Sequence, residues 1–94
     1  MTTKTRKFDA ARYLGSPRAQ IELLNDALES GNAAYIANAL GVIARARGIS
    51  DLSRRTGLSR VGLYKALSKK GDPQLSTLVA VLQSLGLTLT AKAA

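Results

Sequence analysis

The residues of this chain best suited to chemistry are cations, and they are concentrated in one stretch. Between residues 45 and 70 a single acid, Asp51, faces eight basic residues: Arg45, Arg47, Arg54, Arg55, Arg60, Lys65, Lys69 and Lys70. Guanidinium and ammonium groups clustered this way bind phosphate oxygens such as those of a nucleic-acid backbone. The 94-residue chain carries a net charge of +8, which favours a nucleic acid or another anionic surface as partner.

The same composition offers little for catalysis. The chain has no histidine and no cysteine, its six carboxylates are scattered, and it has no glycine-rich phosphate loop. General acid–base catalysis needs a paired acid and base, and a thiolate metal site needs cysteine. We therefore expect no enzyme, no cofactor, no metal site and no disulfide.

A second stretch, residues 17–44, has the opposite charge. One base, Arg18, stands there against three acids, Glu22, Asp26 and Glu29. One small domain that carries an acidic and a basic region suggests two different partners. The alternative is that the acids only solvate the outer face of a helix.

The elements that must position these charges are five predicted helices. The expected N-caps, in chain order, are Ser16, Asn32, Ser50, Ser59 and Asp72, with Pro17 and Pro73 at first helical positions. The glycines expected at or just beyond the helix ends are Gly31, Gly48, Gly57, Gly71 and Gly86.

Each predicted helix carries apolar residues at helical spacing. They are Ile21, Leu24 and Leu28; Ile36, Leu40 and Ile43; Leu52; Leu63 and Leu67; and Leu75, Leu78, Val79, Leu82 and Leu85. Gly41, inside the second helix, costs about 1 kcal/mol relative to alanine and is expected to permit close approach of another helix.

Residues 50–68 have the pattern of a helix-turn-helix, in which Gly57 supplies the turn. The second helix of such a unit enters the major groove of DNA. Arg60, in its first turn, is suited to bidentate contact with guanine, which is worth about 1–3 kcal/mol of discrimination. Val61 is suited to a thymine methyl, and Tyr64 and Lys65 to a phosphate or a base.

The surrounding polar residues are expected to contact phosphates, which set affinity without reading sequence. They are Ser59, Arg54, Arg55, Lys69 and Lys70. The alternatives are that Tyr64 is a packing residue, that Arg60 pairs with Asp51, and that the edge cations serve solubility only.

The two ends of the chain give further expectations. Residues 1–15 are predicted to be an arm and extension before the helical domain of residues 16–94. Residues 87–90 alternate Leu-Thr-Leu-Thr, which predicts a short C-terminal strand or edge pairing with a second copy. The chain is short enough for dimerisation to help, and the expected dimer contacts are Leu82, Leu85, Leu87 and Leu89. No leader-like start and no long apolar run are present, so a cytoplasmic protein without a membrane span is expected.

Residues 32–89 resemble the Xre/Cro-like, phage-repressor type of five-helix DNA-binding domain. Nearly the whole chain resembles the addiction module antidotes of bacterial toxin–antitoxin systems. The likeness is carried by FDAARYL at 8–14, ALGVIARARGIS at 39–50, TGLSRVGLYKALS at 56–68 and GDPQLSTLVAVLQSLGL at 71–87. It departs from phage-type repressors in lacking a glutamine at the start of the third helix and in having Ser53 where alanine is usual.

The resemblance implies an all-α, phage-repressor-like domain and an antitoxin that neutralises a ribosome-dependent RNase toxin of the RelE/HigB class. It also implies repression of its own operon by binding a palindromic operator as a homodimer. The acids Glu22, Asp26 and Glu29 are then a face for the basic toxin. The alternatives are a stand-alone or prophage-type repressor without a toxin partner, and an interaction module that binds only protein.

Overall fold

Five helices follow one another in the computed structural model, which describes residues 16–93. They are α1 (Pro17–Ser30), α2 (Ala33–Arg47), α3 (Ile49–Thr56), α4 (Arg60–Ala66) and α5 (Leu75–Ser84). The all-helical architecture and the number of helices agree with the sequence prediction for this part of the chain. The predicted arm and extension, residues 1–15, lies outside the described residues.

Three of the predicted N-caps are confirmed by hydrogen bonds. Ser16 Oγ accepts from the amide of Ala19 at 3.1 Å, and Asn32 Oδ1 accepts from the amide of Tyr35 at 3.1 Å. Ser59 Oγ accepts from the amide of Gly62 at 2.9 Å. Each bond satisfies an amide that the first helical turn leaves without a partner.

Two predicted helix starts are wrong. Helix α3 begins at Ile49 with Gly48 as its N-cap, so Ser50 lies inside the helix. The reason is that Gly48 both ends α2 and accepts the first hydrogen bond of α3, from the amide of Leu52. Helix α5 begins at Leu75, with Gln74 rather than Asp72 as its N-cap. Residues 71–74 form the non-helical connection from α4, so Asp72 and Pro73 lie before the helix.

The core forms between α2 and the helices that surround it. Its larger buried apolar residues are Leu24, Leu40, Ile43, Ile49, Leu52, Leu63, Leu67, Val81, Leu82 and Leu85. Three residues predicted for the apolar stripes lie outside it, since Ile21 is 41%, Leu75 is 70% and Val79 is 37% exposed. Helix α1 instead turns Ala19, Leu24 and Ala27 inward, together with Gln20.

Gly41 brings the backbone of α2 against the end of α4. A Cβ at this position would overlap the carbonyl oxygen of Leu67, so the expected close approach of another helix is confirmed. Leu63 and Leu67 are both buried behind that contact. The position of α4 on the domain is therefore set by a backbone contact as well as by side-chain packing.

One side chain joins three parts of the fold. Arg47, the last residue of α2, donates from Nε to Gln20 Oε1 at 2.9 Å and from Nη2 to the carbonyl of Leu85 at 3.0 Å. The first bond reaches the buried Gln20 of α1 and the second reaches the end of α5. Arg47 therefore has a structural role, although it belongs to the basic stretch.

The C-terminal segment after α5 is not helical. Residues 87–90 form no strand, contrary to the sequence expectation, because no other extended segment lies beside them within residues 16–93 to supply a hydrogen-bonded partner. No helix within the described residues has the length and apolar character needed to cross a membrane.

Candidate nucleic-acid interface

Helices α3 and α4 are joined by a short link that side chains hold in place. Gly57 adopts a left-handed conformation with φ of 76° and ends α3. Thr56 Oγ1 donates to the carbonyl of Leu52 at 2.8 Å and accepts from the amide of Leu58 at 3.1 Å. Ser53 Oγ donates to the carbonyl of Leu58 at 2.5 Å. The serine at the position where alanine is usual thus secures the link.

The outer side of α4, which we call the recognition face, consists of Arg60, Val61, Tyr64 and Lys65. All four are exposed, with Val61 at 67% and Tyr64 at 48%. The opposite side of α4 is anchored by Leu63, which is buried. The structure therefore brings the four candidate reading residues together on one accessible surface.

Arg60 makes a polar contact other than the one weighed from the sequence. Its Nη1 donates to Ser50 Oγ at 3.3 Å, whereas the sequence left open a pair with Asp51. A guanidinium carries five N–H donors, so this single bond leaves most of its hydrogen-bonding capacity available.

Asp51 is occupied by the two neighbouring arginines of α3. Arg54 Nη2 lies 2.7 Å from Asp51 Oδ1, and Arg55 Nε lies 2.9 Å from Asp51 Oδ2. The hydrogen bond from Arg54, with the charge of Arg55, lowers the pKa of the Asp51 carboxyl below its usual value. Both guanidinium groups remain largely exposed, so they can still contact a phosphate.

The other predicted phosphate contacts lie at the surface near the recognition face. Ser59 is exposed, and its Oγ is used for capping α4. Lys65, Lys69 and Lys70 are exposed and form no ion pair with any residue between 16 and 93. Their ammonium groups can therefore meet a polyanion without first breaking a salt bridge.

The acidic face on α1, defined as Glu22, Asp26 and Glu29, is exposed but has partners. Asp26 Oδ2 accepts a 2.6 Å hydrogen bond from the hydroxyl of Tyr35 on α2, which raises the pKa of that hydroxyl. Glu29 Oε2 lies 3.8 Å from Lys92 Nζ. Sequence reasoning missed Tyr35 because it belongs to the next helix, and only the packing of α1 on α2 brings it to Asp26.

The predicted dimer residues fall into two groups. Leu82 and Leu85 are buried in the core of the chain itself, so most of their surface is already covered. Leu87 and Leu89 border an open groove of about 210 Å³ beside α5, which Val79 and Gln83 also line and to which Leu82 contributes its edge. The prediction of a dimer contact therefore rests on Leu87 and Leu89.

The described residues contain no group of three or more metal-ligating side chains that could hold an ion. Within residues 16–93 the candidate binding surfaces are therefore the cationic recognition face on α4 and the acidic face on α1.

Comparison with known proteins places the chain in one family and beside one relative. A family model described as "Probable addiction module antidote protein" matches residues 4–93. A protein of Haemophilus influenzae with the description "Uncharacterized protein" is 44% identical over 87 residues, which cover 93% of this chain and 90% of that protein. No solved structure matches.

Proposed function

Because this chain belongs to the family described as probable addiction module antidote proteins, we propose that it is an antitoxin that also binds DNA. It neutralises a toxin protein, an RNase of the RelE/HigB class, and represses its own operon by binding the operator through the major groove. It acts by docking two surfaces and catalyses no reaction.

The observation that carries the DNA-binding part is the recognition face. Arg60, Val61 and Tyr64 are exposed together on a helix that three residues separate from the end of α3. The α3–α4 pair is then a helix-turn-helix of the Xre/Cro type, with α3 bracing α4 across the DNA backbone. The cations beside it supply the affinity that does not depend on sequence.

The toxin-binding part is supported by charge and position. An enzyme that cleaves RNA presents a basic surface to its substrate, and the acidic face of α1 is complementary to such a surface. The acidic face belongs to α1 and the recognition face to α4, so one protomer carries two separate docking surfaces.

The toxin-binding part is tested by co-expression with the open reading frame next to this gene. We expect the neighbouring protein to arrest growth alone, growth to resume with the antitoxin, and the two proteins to co-purify. Failure to relieve arrest and to co-purify would contradict the antitoxin function. If DNA binding persisted in that case, the protein would be the stand-alone or prophage-type repressor.

The DNA-binding part is tested with a labelled fragment from upstream of the gene. We expect protection of a palindromic site whose half-sites lie about one helical turn apart, since the protein is proposed to bind as a homodimer. A shuffled fragment of the same length is the control, and equal affinity for both would contradict operator binding. Sedimentation at micromolar concentration tests the dimer directly, and a monomer there would contradict it.

A further inference from the structure

The recognition face borders a groove that the sequence did not reveal. The groove lies between the start of α3 and the first turns of α4 and has a volume of about 460 Å³. It is lined by Gly48, Ile49, Ser50, Arg60, Val61 and Tyr64. The groove is open to solvent, so the edge of a bound molecule can enter it from the surface.

The lining combines an apolar side with a hydrogen-bonding side. Val61 contributes an exposed pair of methyl groups, Tyr64 contributes its ring, and Ile49 is buried beneath the surface. Arg60 and Ser50 contribute the polar atoms, which are joined by the 3.3 Å hydrogen bond from Nη1 to Oγ. A ligand that fits must therefore present an apolar group next to hydrogen-bond acceptors.

The charge of Arg60 is available to that ligand. Asp51, the acid next to Ser50, is already bonded to Arg54 and Arg55. Ser50 holds the guanidinium through one of its five N–H donors. The donors that remain suit the paired acceptors O6 and N7 of guanine.

We infer that this groove reads a guanine and an adjacent thymine, and that Ser50 is a positioning residue for Arg60. The thymine 5-methyl contacts Val61 and the ring of Tyr64, while Arg60 binds the guanine next to it. The bases are adjacent because Arg60 and Val61 are consecutive residues on one helix and line one groove. This inference rests on the proposed DNA-binding function.

The methyl contact is tested by replacing each thymine of the protected site, one at a time, with uracil. This change removes one methyl group and nothing else. We expect one position in each half-site to weaken binding by about fourfold, which corresponds to about one buried methyl group. Val61→Ala should reduce the difference between thymine and uracil at that position, because only the ring of Tyr64 then remains to contact the methyl group.

The adjacency is tested with base-pair substitutions on either side of the sensitive thymine. We expect Arg60→Ala to lose the preference for guanine at a neighbouring position and to keep the response to uracil. If no thymine responds to uracil, or if Val61→Ala retains the full response, the methyl contact is overturned. A guanine preference that Arg60→Ala removes only at a distant position overturns the shared groove.

The role of Ser50 is tested with Ser50→Ala and Ser50→Thr, which differ in whether a hydroxyl remains. We expect Ser50→Ala to reduce the guanine preference by about fivefold, as loss of one hydrogen bond implies, and Ser50→Thr to restore it. Affinity for shuffled DNA and the Tm should stay unchanged, since Ser50 is exposed. A full guanine preference in Ser50→Ala overturns the positioning role.

These outcomes distinguish failure of the inference from failure of the proposed operator binding. A clear footprint with no response to uracil or to Ser50→Ala overturns the inference and leaves operator binding intact. No preference for the upstream fragment over shuffled DNA overturns both.

Discussion

The recognition face and the acidic face are both charged, exposed helix surfaces, but their charges are partnered differently. On the acidic face, Asp26 is bonded to Tyr35 and Glu29 lies near Lys92. Beside the recognition face, Lys69 and Lys70 form no ion pair with any residue between 16 and 93, and within the same range the polar partner of Arg60 is the hydroxyl of Ser50. The recognition face is thus ready for a polyanion, whereas a toxin on the acidic face would exchange existing contacts for new ones.

That exchange requires little free energy. The exposed ion pair of Glu29 with Lys92 contributes at most about 1 kcal/mol, because water and salt screen it, and the exposed hydrogen bond from Tyr35 to Asp26 can be exchanged for one with water. The partners of the acidic face therefore order its side chains without preventing another protein from binding them. The two faces can be separated by substitutions that affect one and spare the other.

The largest effect is expected for Gly41→Ala, which acts on the support of the recognition face. The new Cβ would overlap the carbonyl oxygen of Leu67, so α4 must move. We expect the free energy of unfolding to fall by about 1–3 kcal/mol and the Tm to fall by roughly 5–20 °C. Thermal unfolding followed by circular dichroism measures both quantities.

The matched control for Gly41→Ala is Gly62→Ala, the same change in α4. There the new Cβ would meet only the Oγ of Ser59, at 3.0 Å, and the gain in helix propensity is up to about 1 kcal/mol. We expect a Tm close to that of the parent protein. An equal loss in both variants would contradict the special position of Gly41.

The next largest effect concerns sequence preference. Arg60→Ala should reduce the ratio of operator to shuffled-DNA affinity by roughly 5- to 150-fold, the equivalent of about 1–3 kcal/mol. Lys69→Ala should weaken both affinities alike and lower the salt slope by about one. Arg18→Ala, an exposed arginine on α1, is the control. If Arg60→Ala lowered both affinities in the same ratio, the assignment of α4 as the reading helix would be wrong.

A smaller effect is expected when the acidic face is neutralised. The double variant Asp26→Asn with Glu29→Gln keeps the acceptor for Tyr35 but removes two charges. We expect the toxin complex to weaken by roughly tenfold, since exposed charge pairs contribute up to about 1 kcal/mol each, with operator affinity preserved. Titration calorimetry measures both, and Asp72→Asn in the loop before α5 serves as control. A weaker operator complex with an unchanged toxin complex would reverse the proposed assignment.

The two serine caps allow a finer comparison. Ser16→Ala and Ser59→Ala each remove a hydrogen bond to a helix amide, on α1 and α4 respectively. We expect each to cost about 1 kcal/mol of stability, or roughly 4–8 °C in Tm. Only Ser59→Ala should also weaken DNA binding. An equal effect of both on DNA would mean that the loss arises from stability alone.

The smallest effects are expected in the dependence of stability on pH. The pKa of the Asp51 carboxyl is lower in the folded chain than in the unfolded chain. Its contribution to stability is therefore fully present above the pKa of the unfolded state and is lost as the pH falls through the pKa of the folded state. The pKa of the Tyr35 hydroxyl is higher in the folded chain than in the unfolded chain. Its contribution to stability is therefore fully present below the pKa of the unfolded state and is lost as the pH rises through the pKa of the folded state. Asp51→Asn should flatten only the acid side of the stability profile, and Tyr35→Phe only the alkaline side. Urea titrations across pH test this, and a changed slope on the opposite side would contradict it.

The parts of this fold that the sequence predicted well are those fixed by local hydrogen bonds. Ser16, Asn32 and Ser59 cap the helices that follow them, because a cap needs only its own first turn. The predicted start of α3 at Ser50 is wrong because Gly48 is both the C-cap of α2 and the N-cap of α3. No loop residues remain between the two helices for a separate cap.

The contacts of the candidate surfaces were harder to predict when they join distant residues. The pairing of Asp51 with Arg54 and Arg55 follows from spacings of three and four within one helix, so the sequence contained that signal. The bond between Arg47 and Gln20 spans 27 residues, and the contact of Tyr35 with Asp26 joins two helices. These pairs depend on how α1 packs on α2, which no local pattern specifies.

Helix α2 packs against α1, which carries the acidic face, and contacts α4, which carries the recognition face, through Gly41 and Leu67. The acidic face and the recognition face thus rest on the same helix. Any factor by which a bound toxin changes operator affinity must equal the factor by which bound operator changes toxin affinity, since binding free energies close a thermodynamic cycle. A toxin that shifts α2 on binding would therefore change the affinity for the operator. Transcription of the operon would then respond to the ratio of toxin to antitoxin.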